Sequence, residues 1–134
     1  MANNEKEQSN TRQKGSVAED FAANYIKSQG YDIIDKNFYI RGGEIDIVAK
    51  KGDLIIFVEV RSWDRVFWEN GTPLETVNPA KIRKIQKTAL FYIQKKNINL
   101  QKTMIRFDVA GLTKEGDSYK IEYIENAFPY GGWR

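Results

Sequence analysis

Between residues 14 and 29 apolar side chains recur at helical spacing, with Val17, Phe21 and Tyr25 in one line and Ala18, Ala22 and Ile26 beside it. That period predicts an amphipathic helix. Gly30 suits its end, because glycine reaches the left-handed conformation of a helix C-terminus without steric cost. Residues 1–13 are polar and aperiodic, the pattern of a disordered tail. From residue 31 the apolar period shortens. Residues 31–40 read as one strand with an irregular centre at Asp35-Lys36-Asn37, and Arg41-Gly42-Gly43 reads as a turn. Residues 43–61, GEIDIVAKKGDLIIFVEVR, then read as a hairpin broken at Lys-Lys-Gly-Asp. Strict alternation in its first strand puts Ile45, Ile47 and Ala49 on one face and Glu44, Asp46 and Val48 on the other. In the second strand Leu54, Ile56, Val58 and Val60 oppose Ile55, Phe57, Glu59 and Arg61. A run apolar on both faces predicts a central strand covered on both sides.

Residues 62–77 form a long connection with Trp63, Phe67 and Trp68 and an Asn-Gly turn, long enough to serve as a lid or a partner surface. Pro79 suits the first turn of a second helix running to about residue 96, with Ile82, Ile85, Ala89, Tyr92 and Ile93 as its buried stripe. Two further alternating runs, 104–112 and 119–124, flank the turn Glu115-Gly116-Asp117 and predict another hairpin. The element order is α-β-β-β-α-β-β, an α/β sandwich around a mixed central sheet.

Composition narrows the chemistry. At 134 residues the chain is expected to form one domain. A formal charge of +3 is mildly basic, and much of the basic character is concentrated in the second helix: Lys81, Arg83, Lys84 and Lys87 occur in a segment, 78–102, that has no acidic residue. Such a face can follow a phosphate backbone, although solvated lysine faces are common. There is no apolar run of membrane-spanning length and no apolar leader, so a cytoplasmic protein without a membrane partner is expected. With no Cys and no His, thiolate nucleophiles, Ser-His-Asp triads and His- or Cys-bound metals are excluded. Any bound metal must be held by oxygen ligands, as Mg²⁺, Mn²⁺ or Ca²⁺ are.

The first hairpin carries the candidate ligands. A turn at Gly52-Asp53 sets Asp46 opposite Glu59; a turn at Lys51-Gly52 sets Glu44 opposite Glu59. Either register predicts acids on one face about 5 to 8 Å apart. Opposed like charges cost stability, and a divalent cation would reverse that sign. Arg61, two residues past Glu59, projects from the same face. Two acids, a cation and room for a metal suit phosphodiester hydrolysis, whereas a half-exposed hairpin with a Glu59–Arg61 surface pair is the plainer alternative. Glu19 lies at the border of the first helix's apolar face, where it can simply complement the helix dipole.

The segments GSVAEDFAANYIKSQGYDIIDKNF, GGEIDIVAKKGDLIIFVEVR, NPAKIRKIQKTALFYI, RFDV and ENAF resemble the YraN-like family of bacterial proteins, over nearly the whole chain after residue 13. That family is similar to the restriction-endonuclease-like PD-(D/E)xK nucleases, which include Holliday junction resolvases. The resemblance implies a restriction-endonuclease-like domain over residues 14–128, followed by an irregular tail at 129–134. It implies metal ligation by Asp46 and Glu59, a helix-one acid at Glu19, and Arg61 where those nucleases carry a Lys; Glu44 is left as a flanking residue. Arginine stays charged and cannot act as a base, so Arg61 can stabilise charge only, and Lys81 on the second helix is the other candidate ammonium group.

Three functions compete. The first is an Mg²⁺- or Mn²⁺-dependent endonuclease acting on DNA, branched or structured DNA included, with Glu19, Asp46, Glu59 and Arg61 as its catalytic set and no small-molecule cofactor. The second is a nucleic-acid-binding module with weakened catalysis, using Lys81, Arg83, Lys84 and Lys87. The third is an interaction domain, or homodimer, that uses the aromatic connection at 62–77.

Overall fold

The computed structural model describes residues 17–64 and 77–130. The predicted N-terminal tail and most of the aromatic connection, including Phe67 and Trp68, lie outside the described residues. The element order is the expected one. A helix over 17–28 (α1) precedes β1 (Asp32–Ile40), β2 (Gly43–Lys51), β3 (Leu54–Asp64), α2 (Pro79–Lys95), β4 (Met104–Glu115) and β5 (Ser118–Phe128). The five strands form one mixed sheet in the order β1-β2-β3-β4-β5. Only β3 and β4 run parallel, and α2 makes the crossover between them.

The helices cover opposite faces of the sheet. On one face Ile85, Ala89, Tyr92 and Ile93 of α2 pack on Val48, Ile55, Phe57, Phe107 and Val109. Rings of Phe38, Tyr92, Phe57, Phe107 and Phe128 follow one another there at centroid distances of 5.0–5.6 Å. On the other face Ala22, Ala23 and Ile26 of α1 pack on Ile47, Ala49, Ile56, Val58, Ala110 and Leu112. The α1 stripe departs from expectation. Its alanines and Ile26 are buried, whereas Val17 and Phe21 sit at the exposed margin, where Phe21 meets Tyr119. Small side chains let α1 lie close to the sheet and push the larger ones outward. In β3, Ile55 to Val58 are all buried, as a strand covered on both faces requires.

The hairpin adopts the Gly52-Asp53 turn, pairing Lys51 with Leu54 and Ile47 with Val58. Gly52 has φ +57°, a conformation suited to glycine. Lys51 at the hairpin tip donates to the Gln29 carbonyl at the end of α1 (3.0 Å), which places a cation at the negative end of the helix dipole. The predicted irregularity in β1 is present: its register shifts between Ile33 and Asp35, and Asn37 has φ +54°.

One expectation is overturned. Ile45 does not share a face with Ile47 and Ala49; it packs with Val48 on the α2 side, while Ile47 and Ala49 pack on the α1 side. Alternation slips by one residue around Asp46. The β2–β3 pairing ends at Ile47 and Val58, and the next ladder donor, the Val60 N–H, is taken by Asp46 Oδ2 at 2.8 Å. Asp46 therefore replaces a backbone acceptor where the strands part. No helix among the described residues is long and apolar enough to cross a membrane.

Candidate functional site

The slip at Asp46 collects acids from three elements. Glu19 projects from α1, and Glu44 and Asp46 from β2. Each offers a carboxylate oxygen within 4.8 Å of the others. Glu59 arrives from β3 on the α2 side, following Ile55 and Phe57 in the strand's alternation. Asp46 and Glu59 thus do not rise from one flat face as the pattern predicted. They come from opposite faces and meet where β2 and β3 separate, near enough for the Glu59 charge to act on Asp46.

Burial governs the electrostatics. Desolvation, then the Glu59 charge, pushes the Asp46 pKa up to about 8, against the lowering effect of the Val60 N–H. Burial also raises Glu59, whose side chain is only 5% exposed. Lys81 and then Arg61 work against that rise. Lys81 Nζ lies 3.6 Å and Arg61 Nη1 3.9 Å from Glu59 Oε1. These are ionic contacts, longer than hydrogen bonds. Burial raises Glu19 as well, and the neighbouring Asn37 side chain works against that rise.

Glu19, Asp46, Glu59 and Arg61 are therefore gathered in one region, and Lys81 reaches it. Arg83, Lys84 and Lys87 are not part of it; they are exposed along α2. Two residues escaped the sequence reading. Glu44, read there as flanking, stands among the closest carboxylates. Asn37, a polar neighbour of Glu19, sits in a left-handed conformation, which asparagine tolerates better than most residues. Its irregular neighbourhood was visible in the sequence, but its partner was not.

A tight contact sets β2 against α2. A Cβ added at Gly43 would lie 2.0 Å from Thr88 Oγ1, so only glycine lets the start of β2 approach the helix this closely. Thr88 is fully buried, and its hydroxyl donates to the Lys84 carbonyl (2.6 Å). On the α1 face, fully buried Asp108 accepts from Arg106 Nε and Nη2 (both 2.8 Å), from the Tyr123 hydroxyl (2.6 Å) and from the Asn126 N–H (2.9 Å). Arg106 Nη2 also donates to the Tyr31 hydroxyl (3.0 Å), just past α1. This network ties the end of α1 to β4 and β5. Its polar groups are mutually satisfied, as a structural anchor requires.

The model of a family described as "Uncharacterised protein family UPF0102" matches residues 18–112. A UPF0102 protein of Clostridium botulinum is 45% identical over 116 residues, spanning 85% of this chain and 92% of the relative. One from Clostridium tetani is 44% identical over 120 residues, covering 87% and 94%. One from Dictyoglomus turgidum is 36% identical over 121 residues, covering 89% and 99%.

Proposed function

The chain belongs to the UPF0102 family, and from its site we propose that it is a divalent-cation-dependent endonuclease hydrolysing phosphodiester bonds in DNA, branched or structured DNA among its substrates. One observation carries this reading: Glu19, Glu44 and Asp46 converge within 4.8 Å beside buried Glu59, which has two cations against it. The donor set fits a hard cation. All ligands are carboxylate oxygens, and the elevated Asp46 marks a place short of positive charge. Bound Mg²⁺ or Mn²⁺ would supply Lewis acidity toward water and phosphate. Asp46 would hold the ion together with Glu19 and Glu44, with Glu59 beside them as a further carboxylate. Arg61 lends charge to Glu59 and its surroundings. Exposed Arg83, Lys84 and Lys87 draw in the phosphate backbone. In the reaction, water oxygen forms one bond to phosphorus and one ester P–O bond breaks. The water's proton leaves toward the carboxylates and solvent, and the departing oxygen takes up a proton from solvent.

The test is purified protein with Mg²⁺ or Mn²⁺ on duplex, single-stranded, flap and four-way-junction DNA, beside Asp46→Ala. Cleavage by the wild type alone supports the reading; cleavage that survives Asp46→Ala, or none on any substrate, removes it. Arg61 favours a second reading, a DNA-binding module without cleavage, because arginine is always charged and cannot serve as a base. That reading expects salt-dependent binding with intact strands. A partner surface built on the aromatic connection falls outside the described residues.

A further inference from the structure

Lys81 is placed where its helix does not want it. It lies in the first turn of α2, where the Asn78 side chain caps its backbone N–H at 2.9 Å. A cation there faces the positive end of the helix dipole, and no acidic residue occupies that turn to offset it. The compensation comes from the sheet, because Glu59 Oε1 is 3.6 Å from Lys81 Nζ. Arg83, Lys84 and Lys87, further along α2, point into solvent instead. The Lys81 side chain is 37% exposed while Glu59 is 5% exposed, so the ammonium group touches the buried acid on one side and open space on the other. None of its three N–H donors is within hydrogen-bonding distance of a described residue. A buried carboxylate therefore holds in place a cation whose donors remain available to an incoming anion.

We propose that Lys81, arriving from α2 rather than from the hairpin, is a catalytic residue that contacts the phosphate undergoing hydrolysis. This rests on the nuclease reading above. Its ammonium N–H groups bind the phosphate oxygens on which negative charge builds as the water oxygen bonds to phosphorus and the ester oxygen departs. It stays protonated throughout and transfers nothing. Glu59 sets its position, and Arg61 shares Glu59 with it. A compact ammonium with three rotatable donors suits a phosphate whose geometry changes during the step, in a way the planar fork of Arg61 does not.

The chain has no cysteine, so Lys81→Cys creates a single thiol, and alkylation with 2-bromoethylamine restores an ammonium group at that one position. We expect Lys81→Met and Lys81→Cys to lose about a hundredfold in single-turnover cleavage with Mg²⁺. Alkylated Lys81→Cys should recover to within about tenfold of wild type, which a purely structural role for the side chain would not produce. In EDTA, the slope of log affinity for duplex DNA against log salt should fall by about 0.9 in Lys81→Met, one phosphate contact. Cleavage by Lys81→Met within about threefold of wild type, or no gain on alkylation, overturns the proposal. If wild type and Asp46→Asn both leave every substrate intact, the nuclease reading has failed. The salt slope then judges Lys81 by itself: a fall of about one contact supports the phosphate contact, and an unchanged slope overturns it.

Discussion

Replacing Asp46 with asparagine should stabilise the metal-free protein at neutral pH. Burial and the Glu59 charge raise Asp46 from 3.8 to about 8 in the fold. An acid whose pKa is raised on folding imposes no penalty below its unfolded pKa. Stability is lost as pH climbs from about 4 toward about 8, because the unfolded chain sheds a proton that the folded site keeps. At about 1.36 kcal/mol per pKa unit, the full shift corresponds to about 4 kcal/mol at pH 7. Asp46 retains solvent contact and lies beside Glu59, whose own ionisation can adjust to it, which brings the expected gain for Asp46→Asn to about 1–2 kcal/mol. The asparagine oxygen can still accept from the Val60 N–H, and its amide adds N–H donors beside Glu59. The assay is thermal unfolding in EDTA from pH 4.5 to 8.5, where the variant should melt about 3–8 °C higher at pH 7.5 and converge on the wild type near pH 4.5. Because the chain has no histidine, few other groups titrate between pH 5 and 8, and the difference is attributable to this cluster. Adding Mn²⁺ should reverse the order, raising the wild type above Asp46→Asn. A variant that is less stable at pH 7.5 in EDTA, or a difference that does not change with pH, would refute the reasoning.

Further substitutions probe the frame around the site. Gly43→Ala should cost about 1–3 kcal/mol in urea unfolding through overpacking against Thr88, and Thr88→Ala should recover part of that loss in the double variant; additive losses would mean that the contact is not the cause. Asp108→Ala should cost about 2–4 kcal/mol by stranding half-buried Arg106 and Tyr123, and a loss below about 1 kcal/mol would show that the network is not a structural anchor. Asn37→Ala should cost about 1–2 kcal/mol of backbone strain that Asn37→Gly avoids, while both should weaken Mn²⁺ binding by calorimetry about tenfold by removing a polar neighbour of Glu19; equal stability of the two variants, or unchanged affinity, would count against it.

Where side-chain period decided the structure, the sequence was readable. The β3 run was legible as a doubly covered strand because its apolar residues fill both parities, and α2 because Ile85, Ala89, Tyr92 and Ile93 return at helical spacing. The α1 stripe was harder. Alanine and the larger apolar residues carry the same periodic signal, while contact with the sheet selects for smallness, so Ala18 and Ala22 went inward and Val17 and Phe21 outward. The site was legible as a set of residue types but not as a shape. Counting by twos assumes an unbroken strand, and β2 breaks its count at the residue that matters most to the site. Nothing local in Glu-Ile-Asp-Ile announces that Asp46 and Ile47 turn to the same side.

That slip is what makes the cluster. Without it, Asp46 would share a face with Val48 and point toward α2, leaving Glu19 on the far side of the sheet. With it, Asp46 reaches the α1 acids and still meets Glu59 through the opening between the strands. The backbone donor exposed by the opening is taken by the same side chain. The distortion therefore leaves Val60 satisfied, and its remaining cost is electrostatic: several half-buried and buried acids crowded together. A lysine held against the helix dipole by one of those acids lies beside them and partly exposed, where negative charge from inside the fold and from a substrate would meet. Under the function proposed above, the same crowding of negative charge would turn favourable with a divalent cation and a phosphate in place.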